Sequence, residues 1–202
     1  MKLYYKPGAC SLASHIMLHE VQADFEIEAV DTDAGLTASG ADYRAINANG
    51  YVPSLTTQDG ETLSEGVAIL QFIADNTPDK AYAPAPGSLQ RARMHQHLNY
   101  AAAELHKSWG PLFANAATDA EKQAATTQVH AKFDHLEQVL ADGRVYLVDD
   151  TFSVADAYTF VLVNWANFKA IDLTNWPRLA AYHARIAARP AVQSALIAEG
   201  LA

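Results

Sequence analysis

One cysteine, Cys10, serves the whole 202-residue chain. With no second thiol there is no internal disulfide, which points to a reducing compartment or makes the compartment irrelevant to stability. Pro7 stands three residues before Cys10, which excludes the paired-cysteine chemistry of thioredoxins. Positive charge is scarce too. Only 14 Lys and Arg oppose 23 Asp and Glu, a formal net charge of -9 that leaves no general footprint for nucleic acid. A local pocket can still hold a small anion against that field. Half of the residues are apolar, yet no run approaches the roughly 18 consecutive apolar residues that cross a bilayer. Where a leader would carry a basic segment and an apolar run, the chain has the strand-like Lys2-Leu3-Tyr4-Tyr5. The expectation is a soluble, cytoplasmic, globular protein with neither a membrane nor a nucleic acid as partner. The seven histidines other than His106, with His15, His95 and His97 among them, form no convincing metal pattern: His95 and His97, two apart on a helical pattern, point in different directions. No metal is expected.

Two textures divide the chain. Residues 1–78 alternate short β-prone runs with helical ones: a strand over 3–6, a helix over 11–21, a second strand over 25–31 and a looser polar stretch over 32–45. Val52 to Thr57 and Glu61 to Leu63 flank Asp59-Gly60, a hairpin signal because both residues tolerate positive φ. A helix is expected over 64–75, with Val67, Leu70 and Ile73 at helical spacing. Residues 77–87 hold three prolines and a glycine and read as the connector. After it, residues 88–202 read as an all-helical half. One long Ala-rich helix is expected over 90–109, another over 119–141 with the stripe Val129, Phe133, Leu136 and Leu140, and a buried one over 153–168. Pro177 and Pro190 fit the first turns of two more.

Cys10 sits where strand, Pro-Gly turn and helix meet, in Tyr4-Tyr5-Lys6-Pro7-Gly8-Ala9-Cys10-Ser11. Free amides and the positive end of a helix dipole favour thiolate there. The competing reading is an inert core thiol, since free cysteines are among the most buried residues. Further on, Ser153-Val154-Ala155-Asp156 is a variant capping box, with a serine N-cap and a carboxylate at N3. It is read as structural rather than catalytic.

In their order and spacing, the strand–turn–Cys10–helix segment, Val52-Pro53, Ser64-Glu65-Gly66, the proline-rich connector and Phe152-Ser153-Val154-Ala155-Asp156 resemble a cytosolic glutathione transferase. The Cys10 segment together with Asn99 and His106 resembles the bacterial beta class. The resemblance implies an α/β thioredoxin-like domain over 1–78, an all-α domain over 88–202, a homodimer, and glutathione as co-substrate. It also implies that Pro53 follows a cis peptide bond, which turns the Val52 backbone toward the cysteinyl part of glutathione. Glu65 would receive the ligand's ammonium, and the Gly66 amide its α-carboxylate. Asn99, Ala103, Glu104, Leu105, His106 and Lys107 would face the tripeptide from a cleft between the halves. Seven residues separate Asn99 from His106, which places them on one face of a regular α-helix. His106 would favour a thiolate at Cys10 or on glutathione. Trp109, Phe113 and Trp165 are candidates for an apolar electrophile pocket, with core packing the competing reading.

The pattern departs from the family in three places. Gly66 stands where many members have serine, Gly35 where beta-class members often have a lysine, and Asp149 where glycine often precedes the capping-box helix. The expected activity is attack of the glutathione thiolate on small electrophiles. One alternative is a thiol–disulfide or peroxide reductase working through a Cys10 mixed disulfide. The other is a non-catalytic binding module on the same fold.

Overall fold

The computed structural model describes residues 1–77, 82–148 and 150–202. In it, β1 (Lys2–Tyr5) buries Leu3, Tyr4 and Tyr5 and pairs in parallel with β2 (Glu26–Asp31). Parallel neighbours need a crossover, and α1 (Leu12–Glu20) supplies it while burying Leu12 through Leu18. β3 (Leu36–Thr37), within the stretch expected to be loose, adds an antiparallel edge to β2. β4 (Ser54–Thr56) lies antiparallel on the other side of β1 and turns through Asp59-Gly60 into β5 (Thr62–Ser64), with Leu55 opposite Leu63. Gly60 takes φ +85°, the left-handed conformation this turn requires. The sheet order is β3-β2-β1-β4-β5, the thioredoxin-like arrangement expected. α2 (Gly66–Asp75) begins two residues later than its pattern, because Ser64 still belongs to β5 and Glu65 leaves the strand at φ 67°.

Backbone contacts gather residues 1–83 and 187–202 into one unit and 84–186 into another. By these contacts residues 187–202 group with the sheet, whereas the expected division at 78 and 88 counts them with the helical half. α9 (Pro190–Ala198), with Pro190 at its first position, packs on α1 and belongs with the sheet. The connector residues 78–81 and Asp149 lie outside the described residues.

In the helical unit, Ser88 opens α3 (Leu89–Tyr100) by accepting the Arg91 amide at 3.1 Å. The expected helix over 90–109 is interrupted. A π-turn occupies Ala101–Leu105 before α4 (His106–Ser108) and α5 (Gly110–Phe113). α6 (Asp119–Val139) starts on a Thr118–Glu121 capping box and buries the expected stripe. α7 (Val154–Phe168) is buried along most of its length, and α8 (Pro177–Ala187) begins at its proline.

His97 of α3 makes this unit acid-sensitive. Burial, then the nearby Arg144 charge and His135, push its pKa from 6.5 down to about 4. The folded value is the depressed one, so the stability it contributes is present above pH 6.5 and lost as pH falls toward 4. A difference of this size corresponds to about 3 kcal/mol. In urea titrations at pH 7 and pH 4.5, His97→Gln should flatten the loss; an unchanged slope would overturn the assignment.

Candidate functional site

Cys10 lies two residues before α1, at the end of the turn Pro7–Ala9, whose Ala9 amide donates to the Lys6 carbonyl at 3.0 Å. Ser11 closes the turn: its hydroxyl donates to the Lys6 carbonyl at 3.3 Å and accepts the Lys6 amide at 3.2 Å. A second clamp comes from the far end of the chain. The Gly8 amide donates to Glu199 Oε2 at 2.9 Å, and His15 Nδ1 lies 2.8 Å from Glu199 Oε1. Both side chains of that pair are essentially inaccessible, at 1% and 0% exposure. A buried carboxylate thus fixes the turn that presents the thiol.

The thiol itself departs from expectation. The amides of Cys10 and Ser11 do lower its pKa, as a helix start should. Desolvation is the larger effect, and with the Glu65 charge it pushes the pKa from 9.0 up to about 11. Cys10 is therefore a thiol at neutral pH. Its S–H donates to the Val52 carbonyl, with Sγ 3.3 Å from the oxygen.

The Val52–Pro53 peptide bond is cis, as the resemblance implied. The Val52 side chain packs on the cluster of Tyr4, Val30 and Tyr43, which leaves its backbone beside Cys10. The Tyr43 hydroxyl lies 2.8 Å from both the Tyr51 carbonyl and Ser54 Oγ, tying this loop to β4. Glu65 holds a positive φ that side chains rarely adopt, a strain of the kind found at ligand clamps. It leaves the Glu65 carboxylate exposed, and the first helical bond of α2 runs from Ile69 N–H to the Glu65 carbonyl. The amides of Gly66, Val67 and Ala68 precede that bond and point out of the helix start. A side chain at Gly66 would meet only Pro53, at 3.7 Å, so a serine also fits there. Gly35 is different. It sits at φ +71°, and a Cβ added there would meet nothing within 4 Å, so a lysine has room but a disfavoured backbone.

The helical candidates are rearranged by the π-turn. Its extra residue rotates His106 by about 100° from the regular seven-residue stripe, so Asn99 and His106 do not share the expected face. Asn99, Ala103, Glu104 and Lys107 are exposed, and Glu104 accepts from Lys132 Nζ at 2.6 Å. Leu105 has its side chain fully buried in the core, and its carbonyl accepts from the Ser108 hydroxyl at 2.7 Å. His106 Nδ1 lies 2.7 Å from the Tyr158 hydroxyl, and its ring stands edge-on to Trp165 at 5.0 Å. Burial and then the Lys107 charge lower its pKa, which disfavours the imidazolium and leaves a hydrogen bond from the neutral ring as the means of favouring a thiolate. Phe113 and Trp165 are in contact, with centroids 5.2 Å apart, and Phe113 is 44% exposed. Trp109 touches both but is fully buried, which removes it from the pocket lining and makes it core.

Sequence reading missed Tyr158 as the partner of His106, and it missed the Glu199–His15–Gly8 clamp. No local pattern marks either one. Among the described residues, no group of three or more His, Cys, Asp or Glu could hold a metal ion, and no helix is long and apolar enough to cross a membrane.

Residues 8–76 match the family model for the glutathione S-transferase N-terminal domain, and residues 100–190 the model for the glutathione S-transferase C-terminal domain. The chain is 42% identical to glutathione S-transferase GstA of Escherichia coli O157:H7, over the full length of both. A sphingomonad glutathione S-transferase solved with glutathione superposes with a TM-score of 0.95 at 47% identity, covering all of both chains. A beta-class glutathione S-transferase of Sphingomonas chungbukensis superposes at 0.96 with 44% identity, again over all of both chains.

Proposed function

The chain belongs to the glutathione S-transferase family, and from that premise we propose that Cys10, Val52, Pro53, Glu65 and Gly66 hold glutathione in a form ready to react. The protein is a glutathione transferase. The observation that carries the residue-level reading is a single juxtaposition: a thiol 3.3 Å from the Val52 carbonyl, beside a cis proline. The strained Glu65 at the head of α2 completes the set. The Val52 backbone pairs with the cysteinyl part of the tripeptide, as an added strand does. The Glu65 carboxylate takes the ammonium, and the amides at the start of α2 take the γ-glutamyl carboxylate.

In this arrangement the glutathione sulfur is the nucleophile. Cys10, kept neutral by desolvation, turns its single S–H from the Val52 carbonyl to the glutathione thiolate and steadies it there. The thiolate forms a bond to the electrophilic centre as the leaving group departs with its electron pair. Asn99, Ala103, Glu104, Lys107 and neutral His106 are the helical unit's candidates for the tripeptide, and Phe113 and Trp165 for an apolar electrophile. We place the enzyme in the cytoplasm as a symmetric homodimer, as the family resemblance implies.

Retention on immobilised glutathione followed by two assays tests this reading. Cys10→Ala should keep conjugation of a chlorinated aromatic within about tenfold, the scale of one lost hydrogen bond, while reduction of mixed disulfides disappears. Glu65→Ala should raise the KM for glutathione by about tenfold or more. The same preparation should sediment at twice the chain mass of 21.9 kDa. Loss of conjugation together with disulfide reduction in Cys10→Ala would favour the mixed-disulfide enzyme. Glutathione binding with neither activity in the wild type would favour a non-catalytic module.

A further inference from the structure

The site built on Cys10, Val52 and Glu65 matches the ammonium, the γ-glutamyl carboxylate and the cysteinyl backbone of glutathione. Within the sheet-bearing unit it leaves the carboxylate of the glycine unmatched. A Cβ at Gly66, at the head of α2, would stand 3.7 Å from the Pro53 ring. With the γ-glutamyl end on those α2 amides and the cysteinyl part on Val52, the tripeptide runs from the Pro53 side toward Tyr51 and Gly50. Each residue along such an added strand advances about 3.3 Å. The glycine end therefore falls beside Gly50.

Arg44 stands at that place. It belongs to the 3₁₀ turn Tyr43–Ala45, which Asp42 caps by accepting the Arg44 amide at 2.9 Å. The turn is tied on both sides. The Tyr43 amide donates to the Gly35 carbonyl at 2.9 Å, and the Tyr43 hydroxyl and Asn47 Nδ2 each lie 2.8 Å from the Tyr51 carbonyl. Over Gly50 lies the Arg44 guanidinium: a Cβ built there would stand 3.5 Å from Cζ, 3.6 Å from Nη2 and 3.7 Å from Nη1. Near-equal distances to three atoms of one plane mean that the group turns its face to Gly50 and leaves its in-plane N–H donors for another acceptor. Among the described residues Arg44 forms no ion pair. The Asp42 carboxylate, bonded to the Arg44 amide, weakens the field of the cation without occupying its donors. The other described lysines and arginines of this unit are engaged. Lys2 pairs with Glu28, Lys6 Nζ donates to the Thr32 hydroxyl at 2.9 Å, and Arg189 forks onto Glu20 at 2.6 and 2.9 Å. Gly35, where beta-class members often have a lysine, contributes no side chain.

We propose that Arg44 receives the glycine carboxylate of glutathione, the one charged end of the tripeptide for which this unit otherwise holds no partner. The assignment rests on the glutathione site proposed above and adds a cation to it. A guanidinium offers a carboxylate two parallel N–H donors, which the point charge of a lysine does not match. Arg44 is thus a specificity residue: it selects thiol ligands whose C-terminal carboxylate is free.

Calorimetric titration of the full chain with glutathione and with its glycine ethyl ester tests the assignment. The wild type should bind glutathione about fivefold more tightly than the ester, the scale of one charge-assisted contact at an exposed position. Arg44→Gln should bring the two affinities together by weakening glutathione alone, and Arg44→Lys should keep part of the preference. Glu65→Ala should weaken both ligands and leave their ratio as in the wild type. An unchanged ratio in Arg44→Gln, equal weakening of both ligands by it, or a preference abolished by Lys107→Gln instead would each overturn the role of Arg44. Equal affinity of the wild type for the two ligands would do the same while leaving the site reading intact. A wild type that binds neither ligand would overturn the site reading itself, and the assignment with it.

Discussion

In the absence of glutathione, Cys10 should resist alkylation at neutral pH, with a rate that climbs about tenfold per pH unit and shows no plateau below pH 9. A pKa of about 11 leaves roughly one thiol in 10⁴ ionised at pH 7, against a few per cent for an ordinary cysteine, so reaction with iodoacetamide should run some hundredfold or more slower than with free cysteine. The balance behind that value is a contest between two real effects. The amides of Cys10 and Ser11 do favour the anion, but they act on a sulfur that protein has largely stripped of water, with the Glu65 charge adding to the penalty. Glu65→Gln should therefore lower the apparent pKa while leaving it above that of a free thiol. The S–H donated to the Val52 carbonyl points the same way, because a thiolate beside that oxygen would lose a bond and gain a repulsion. A rate plateau below pH 8 would show a reactive thiolate. It would then return weight to the mixed-disulfide route, in which Cys10 itself attacks.

That contest also marks where the sequence stops being informative. Local features were legible. Asp59-Gly60 specified the hairpin, Pro177 and Pro190 opened their helices, and Ser153 with Asp156 capped α7. Cys10, Val52-Pro53 and Glu65-Gly66 stand out in the sequence as short motifs of adjacent residues, and the structure gives the Val52–Pro53 bond its cis form and Glu65 its positive φ. What was missed is non-local or silent in residue type. The ionisation of Cys10 depends on how much protein surrounds it. Glu199 reaches Gly8 across 191 positions and His15 across 184, and Tyr158 reaches His106 across 52. The π-turn falls on Ala101-Ala102-Ala103-Glu104-Leu105, residues at ease in any helix, so the seven-residue spacing of Asn99 and His106 gave no hint of it. The tail residues 187–202 look like any helical segment, and only the packing of α9 on α1 reveals which unit they join.

Asp156→Ala should cost about 4 kcal/mol or more of unfolding free energy, enough to leave a domain of ordinary stability partly unfolded. The carboxylate is fully buried and accepts four bonds: Leu147 N–H at 2.8 Å, Tyr182 O–H at 2.9 Å, Ser153 N–H at 2.9 Å and Ser153 O–H at 2.8 Å. Two of those donors start α7, one fixes the segment before it, and one anchors α8. Removing the acceptor orphans all four in a site that water does not reach, and each buried unpaired donor costs about 1–3 kcal/mol. Burial outweighs the four bonds in setting the acid's own ionisation, since its pKa is raised rather than lowered. The substitution therefore measures the damage of abandoned donors, not the net worth of the carboxylate. Tyr182→Phe separates the two, because it withdraws one donor and leaves the other three satisfied; about 1 kcal/mol is expected. Urea unfolding of both variants, followed by far-UV circular dichroism, should show a large shift in midpoint for Asp156→Ala and a small one for Tyr182→Phe. Equal, small shifts would mean that α7 does not depend on its cap. Four-way acceptance by one buried acid would then be a consequence of the fold rather than a cause of it.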